Sequence, residues 1–537
     1  MDALSETSGG ALRNRFLPLF AAAVLGTGIL MSGVFHGGVA VLLSGLWGLA
    51  GIVLSGAVWS IPCEHNGTRS RMFWTALYCL ITTEFLRKPV FWGWLFGAVY
   101  LAFFYVCAAS VICIFRPKAG AFGAAAFALV GFFRIELLAG PGRSFASPDG
   151  VPLPSAAGLA FPLCDPIYAL AAFPPLYGAA WIAGTVPLVF AFAFCGTAVW
   201  RRGNAVNASP LVLSAVFLAV IAAAAANPAR DVFSRGDISA VIVQGGVSSE
   251  QVADALAGAA GESALLSRYR SLTELAQTEN PDVYRSATLV VWPESSWPGF
   301  IDPAEPPPYP EWLGGAPLVA GGYSYRRVNG TDVVGNTAVL LTPEGASLRD
   351  KVVLAPFGEY SPWFLGMVSP AGDAVDMTPG EWSLMPLKLV SPAGPILLGT
   401  LVCYEDSFPG RLAAEAECGA ELLVVITNDG WFRGTSGPWQ HAAAIRVRAA
   451  EARLPVLRAG NVAPSCIIDA DGGIRAWLGK GGGVLTGTVP HRGCPRPQKV
   501  GLAGWAMLWL LAFWAAIEAL SAPKFPERQD AEAASPS

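Results

Sequence analysis

Pro395–Pro409 reads PILLGTLVCYEDSFP, and the fold is decided here. Its first half, Ile396–Val402, is a short apolar run with the length and composition of a buried strand. The run stops at Cys403, and Tyr404, Glu405 and Asp406 follow at once. A thiol at the C-terminal end of a core strand is held by rigid backbone at the rim of a sheet. Layered α/β folds place ligands and nucleophiles at that rim. The same position also suits a buried structural cysteine, since free Cys is among the most buried residue types.

Units of the same form, strand then polar corner, stand on both sides. ISAVIVQGGV from Ile238 ends in glycines, SATLVVWPESSWP from Ser286 stops at Pro293-Glu294, and AELLVVITNDGWF from Ala420 turns at Asn428-Asp429. APLVAGGYSY, NTAVLLTPEG, VLRAG and SCIIDADGGI read as further strands with turn residues between them. Leu and Ala at helical spacing predict a helix over about 249–277, and RVRAAEARLP predicts another that Pro455 ends. Strands alternating with helices predict an α/β domain with a layered core.

The rest of the chain differs in texture. Of 537 residues 53% are hydrophobic and 14% charged, against roughly 25% charged in soluble domains. Apolar runs cover Phe16–Phe35, then 38–61, 72–86, 89–115, 119–140, 176–200, 209–227 and, near the C-terminus, 500–520. With a cytoplasmic N-terminus, Arg69 and Arg71, Arg116 and Lys118, and Arg201 and Arg202 all fall on the cytoplasmic side, as the positive-inside rule requires. Residues 1–230 then form a membrane domain of about seven transmembrane helices, and 231–499 an extracytoplasmic α/β domain. A last transmembrane helix covers 500–521, and 522–537 form a disordered cytoplasmic tail. Arg134 and Glu136 lie inside the fifth run, which fits either a lipid headgroup contact or side chains reaching the surface from an early helix end.

A net charge of -4 gives no basic field for nucleic acid. Ten cysteines without CxxC pairs and only four histidines argue against a metal site, and no GxSxG elbow is present. Three polar residues do stand just after apolar segments: Glu294 in VVWPES, Lys351 in LRDKVVLAPFGEY and Cys403 in LVCYED. A thiol needs a base or a lowered pKa to attack, a carboxylate can take its proton, and an ammonium can stabilise the oxyanion that follows. Such a set needs neither metal nor cofactor. Each residue also has a structural alternative: Glu294 as a helix cap, Lys351 as a solvated loop charge, Cys403 as core. Trp292, Trp297, Trp431 and Trp439 stand in or beside these motifs, as packing or as acyl-chain contacts, and His441 suits a structural role better than a substrate contact.

The ordered set WPE, DK with PFGEY, CYE, NDGWF and GPWQH resembles the nitrilase superfamily over about residues 237–480. More narrowly it resembles the membrane-bound apolipoprotein N-acyltransferases and the related conjugal-transfer TraB-like proteins. The resemblance implies an αββα sandwich, with Glu294 as general base, Lys351 as oxyanion stabiliser and Cys403 as nucleophile. Glu359 would be a second acidic residue that positions the lysine, and Tyr404 and Glu405 would support the nucleophile. It implies an integral protein of a bacterial-type inner membrane with its catalytic domain on the periplasmic side. The acyl donor would be a membrane phospholipid and the acceptor a lipoprotein N-terminal amine. The alternatives are a TraB-like conjugal-transfer role and a membrane-tethered amidase or other hydrolase.

Overall fold

Two sheets lie face to face in the second half of the chain. The computed structural model describes residues 2–32, 38–63, 66–88, 91–115, 120–137, 145–146, 152–153, 161–178, 180–200, 214–215, 219, 236–356, 358–360, 376–381, 385–391, 394–462, 464–491, 509 and 513. One sheet has the order Ile474–Leu478, Ser465–Ile468, Val456–Gly460, Leu422–Thr427, Gly394–Val402, Leu387–Ser391. The other has the order Gly483–Pro490, Asp237–Gln244, Leu289–Val291, Leu318–Val328, Thr331–Thr342, Gly345–Asp350, with Phe300–Ile301 beside Leu318–Val328. The central strands are parallel, as in Gly394–Val402 against Leu422–Thr427, where Val402 faces Ile426.

Strand periodicity builds four layers from these two sheets. Ala240 and Ile242 point between the sheets, while Val241 and Val243 point out beneath the helices Ser249–Ala257 and Ala259–Glu279. Likewise Leu422, Val424 and Ile426 face the other sheet, and Leu423 and Val425 face the helices Pro409–Glu417 and Gly437–Ala452. Strands covered on both sides are apolar throughout, which is why LLVVIT carries no alternation. The expected αββα order is therefore present. The single helix expected over 249–277 is two, because the chain leaves helical geometry at Gly258. Ser248 and Gln251 form a capping box that starts the first of them.

The N-terminal half is helical: Asp2–Ser32, Gly38–Trp59, Gly67–Thr82, Phe91–Phe115, Gly120–Gly131 and Thr185–Trp200. Among the described residues Val39–Trp59 and Trp94–Ile114 are long and apolar enough to cross a membrane, and Phe16–Met31, Phe122–Ile135 and Thr185–Ala198 are shorter apolar helices. Several expected boundaries move. The third run begins at Gly67 and ends at Thr82, so Glu84 lies in a separate one-turn helix, Glu84–Arg87. The sixth begins at Thr185, because the proline-rich 161–178 folds into a buried connector with short turns at Pro166–Leu170 and Pro174–Leu176. Arg71, one of the charges taken as facing the cytoplasm, is wholly buried. Arg134 is also buried, pairs with Asp165 and donates to the Leu163 carbonyl, so neither headgroup contact nor surface reach describes it. The side chain of Glu136, the seventh run at 209–227 apart from 214–215 and 219, the C-terminal span apart from 509 and 513, and the 522–537 tail lie outside the described residues.

Helix Gly437–Ala452 joins the two halves. Ile445, Ala449 and Ala452 pack on the sheet, while Ala443, Ala444, Val447 and Ala450 pack on the N-terminal helices. Small side chains on both faces let one helix fit between two layers.

Close backbone approach fixes a second element. Gly321 bonds to the Pro293 carbonyl at 3.1 Å and receives Ser296 and Trp297 at 2.9 and 2.8 Å. A Cβ there would lie 2.5 Å from Glu294 Cα. Gly321→Ala is expected to destabilise the fold by about 1–3 kcal/mol, read as a lowered thermal midpoint of the purified protein. An unchanged midpoint would show that the turn can yield.

Candidate active site

Three loops at the C-terminal ends of strands deliver the expected residues to the rim. Glu294 follows Leu289–Val291, Lys351 follows Gly345–Asp350, and Cys403 follows Gly394–Val402. Cys403 itself has φ +54°, a left-handed conformation unusual for a residue with a Cβ, and Ser295 beside Glu294 has φ +56°. Both strands thus end in a sharp corner at the rim.

Lys351 Nζ lies 2.8 Å from Glu359 Oε1 and 4.0 Å from Glu294 Oε1. Its side chain is 1% exposed, those of Glu294 and Glu359 8% and 10%. Asn336 donates from Nδ2 to both Glu294 Oε1 and Glu359 Oε1 at 2.7 Å. The Asn428 amide donates to Glu294 Oε2 at 2.7 Å, and the Ala355 amide to Glu359 Oε2 at 2.6 Å. Two carboxylates, an ammonium and a carboxamide thus form one buried cluster. Asn336 and Asn428 stand inside stretches the sequence marked as strand and corner, yet a lone Asn in a strand gives no signal of bridging two glutamates.

The charges act on one another strongly because water is excluded. Burial raises the Glu294 pKa, and neighbouring Glu359 adds to that against the pull of Lys351. Burial alone would disfavour the Lys351 ammonium, but Glu359, Cys403 and Glu294 outweigh it and raise its pKa. The Cys403 thiol is pushed well up by burial and by the Glu294 charge, while Lys351 opposes. The resting sulfur therefore keeps its proton, beside a carboxylate with raised proton affinity and a lysine that stays charged.

Glu405 does different work from the other carboxylates. Its Oε1 accepts from the Val352 and Val353 amides at 2.7 and 3.0 Å, and its Oε2 from the Val402 amide at 2.8 Å. It ties the backbone just after Lys351 to the backbone just before Cys403. Tyr404 packs edge-on against Phe408 at 5.0 Å and rests on the core of the N-terminal helices. Trp292 is core, stacked on Tyr269 and donating to Thr273, whereas Trp431 is exposed.

Behind the corner lies a network that the sequence did not single out. His441 Nε2 is 2.7 Å from Asp406 Oδ1 and 3.2 Å from the Cys403 carbonyl oxygen, and Nδ1 is 2.9 Å from Asp429 Oδ1. Arg458 Nη2 holds Asp429 Oδ2 at 2.9 Å. Burial would lower the His441 pKa, but Asp406 and Asp429 raise it to about 10. Asp429 is drawn down to about 2: burial opposes this, and His441 and Arg458 prevail. The imidazolium braces the loop that carries the thiol.

Linkage fixes the pH window of this brace. A histidine raised from 6.5 to about 10 stabilises the fold in full below 6.5 and loses that contribution as pH climbs through 10. Asp429, lowered from 3.8 to about 2, contributes in full above 3.8 and loses it as pH falls through 2. His441→Ala is expected to cost about 3–5 kcal/mol by removing one of the two cations that Asp406 and Asp429 share, leaving Arg458 alone to face both. Its stability difference from the parent should be largest near pH 4–6.5 and shrink toward pH 10, measured by thermal unfolding across pH. A pH-independent difference would remove the charged-histidine account.

Comparison with known proteins is consistent with this arrangement. The carbon-nitrogen hydrolase family profile matches residues 255–494. The apolipoprotein N-acyltransferase of Caulobacter vibrioides is 30% identical over 351 residues, 61% of this chain and 62% of that protein. That of Bradyrhizobium diazoefficiens is 31% identical over 290 residues, 51% of this chain and 53% of that protein. The chain thus spans between half and two thirds of the length of these two relatives. Saccharomyces cerevisiae Nit3, a nitrilase-superfamily crystal structure, superimposes with a TM-score of 0.35 at 21% identity, covering 48% of this chain and 92% of that one. Glu294, Lys351 and Cys403 all lie within the residues that the carbon-nitrogen hydrolase profile matches.

Proposed function

We propose that the chain is a membrane N-acyltransferase that moves a fatty acyl group from a phospholipid, through a thioester on Cys403, to an amine. What supports this reading is the buried Glu294–Lys351–Glu359 cluster, together with a Cys403 thiol whose proton affinity responds to the charges of Glu294 and Lys351. Glu294 takes the thiol proton as sulfur attacks the ester carbonyl of the phospholipid. Lys351, kept charged by Glu359, faces the oxyanion of the tetrahedral intermediate. Collapse breaks the ester C–O bond, and the departing lysophospholipid oxygen takes the proton from Glu294. In the second half, a lipoprotein's N-terminal amine attacks the thioester carbonyl and passes its proton to Glu294. The C–S bond then breaks, the sulfur recovers the proton, and an amide leaves.

The proposed setting is a multi-pass bacterial-type inner membrane with the sandwich on the periplasmic side. The helices Val39–Trp59 and Trp94–Ile114, of mean hydropathy 2.0 and 2.2, support it. So do large apolar side chains left open on the helical surface, among them Phe16, Val39, Phe103 and Ile114. The names of the matched relatives, apolipoprotein N-acyltransferases, support the acceptor.

Purified protein given labelled phospholipid is expected to carry an acyl adduct on the Cys403 peptide, released by neutral hydroxylamine. Cys403→Ala should abolish the adduct, and Lys351→Met should slow its formation by about 10²–10³-fold. Adding a lipidated cysteinyl peptide with a free amine should discharge it. Decay of the adduct at the same rate without an amine would point to a hydrolase instead, and no adduct at all would sink the thioester mechanism.

A further inference from the structure

Two cysteines far from the sandwich meet at one end of the helical half. Cys63 lies in the connection between Gly38–Trp59 and Gly67–Thr82, and Cys113 lies near the end of Phe91–Phe115. Their sulfurs are 3.4 Å apart, and both side chains are half-buried. Thr68 Oγ1 stands 3.1 Å from Cys113 Sγ. Arg71 Nη2 reaches to 3.0 Å from Cys63 Sγ and 3.9 Å from Cys113 Sγ. Its Nη1 donates to the carbonyls of Ile61 at 2.8 Å and Trp59 at 3.4 Å, while its Nε has no partner.

Arg71 is fully buried, and among the described residues no carboxylate pairs with it. Most other buried arginines among the described residues have one, as Arg134 has Asp165, Arg349 has Glu415, Arg448 has Glu451 and Arg458 has Asp429, while Arg446 rests on backbone carbonyls. A buried guanidinium needs a counter-charge. Among the described residues, the groups beside Arg71 that can become anions are the two thiols.

We propose that Cys63 and Cys113 are a redox-active dithiol, assembled around Arg71, that a hydroperoxide converts to a disulfide. One sulfur, as thiolate, attacks the near peroxide oxygen. The O–O bond breaks, the far oxygen leaves as alkoxide or hydroxide and takes a proton, and the sulfur becomes a sulfenic acid. The second thiolate then attacks that sulfur, the S–O bond breaks, and hydroxide leaves and is protonated to water. Two thiols are oxidised by two electrons, and one peroxide is reduced. The sulfurs must close by about 1.4 Å to reach disulfide length. The bond would fasten the 60–66 connection to the end of Phe91–Phe115. None of this depends on acyl transfer.

The test uses the full chain in detergent, reduced, freed of reductant and exposed to hydrogen peroxide before denaturation and alkylation. Peptide mass analysis is expected to find the Cys63 and Cys113 peptides joined and two hydrogens lighter, with dithiothreitol restoring both thiols. Cys107, exposed on the same helix, is the internal reference, and the pair should be consumed roughly tenfold faster. In Cys113→Ser, Cys63 should stop as a sulfenic acid that dimedone captures. In Arg71→Met the rate advantage over Cys107 should disappear, and where that variant does not fold, the Cys113→Ser trapping decides. Two separately alkylated thiols, or consumption no faster than Cys107 together with no dimedone adduct in Cys113→Ser, would overturn the proposal.

Discussion

One carboxylate spans the seam on which the site is built. Glu294 and Lys351 hang from one sheet and Cys403 from the other, so their spacing is set by how the sheets are joined at the rim. Glu405 accepts amides from both sides of that seam. Hydrogen bonds to a charged acceptor are about twice as strong as neutral ones, and here they act directly on the backbone that carries the functional side chains. Arg411 lies 3.7 Å from Glu405 and also pairs with Glu415, which in turn holds Arg349. The brace therefore runs from one sheet into the helix that follows Cys403. A looser apolar contact could hold the sheets together without fixing the register of the two loops.

The second constraint is the fit between the sandwich and the helical half. Glu84 accepts from Ser436 through both its amide and its hydroxyl, and Lys88 donates to the Arg433 carbonyl. These bonds place the one-turn helix Glu84–Arg87 against the loop that follows Asn428, whose amide holds Glu294. Tyr404, next to the thiol, rests on the same helical core. The site is thus braced from the sheets on one side and from the helices on the other.

Much of this could be read in the sequence. The strand ends before Cys403 and Glu294 were visible because each apolar run stops at a polar corner, whereas Gly345–Asp350, which delivers Lys351, mixes polar and apolar residues and was not read as a strand. A layered α/β core followed from unbroken apolar strands alternating with helices, while the αββα order came only with the family resemblance. The helix boundaries near Glu84 and Thr185 were not legible, because apolar composition continues through 161–178 while the backbone there turns at prolines. The bridging role of Asn336 was hidden for another reason: a single carboxamide in a strand looks the same whether it faces solvent or two glutamates. His441 was visible as a residue, but its charge depends on Asp406 and Asp429, which only the fold brings to its two ring nitrogens. Arg71 misled in the same way, since a charge beside a predicted span carries no mark of whether it faces water or protein.

The helix Gly437–Ala452 has one more consequence. Its Arg448 donates to Tyr168, and its Arg446 reaches the Ala172 carbonyl, both in the buried connector of the other half. Severed from that connector, the sandwich would show water a stripe of alanines and two arginines that had lost their partners in the other half. The sandwich is therefore not a passenger that could be cut loose from the helices unchanged. Any lineage that inherited it would have had to carry the helical half along, or rebuild this helix first.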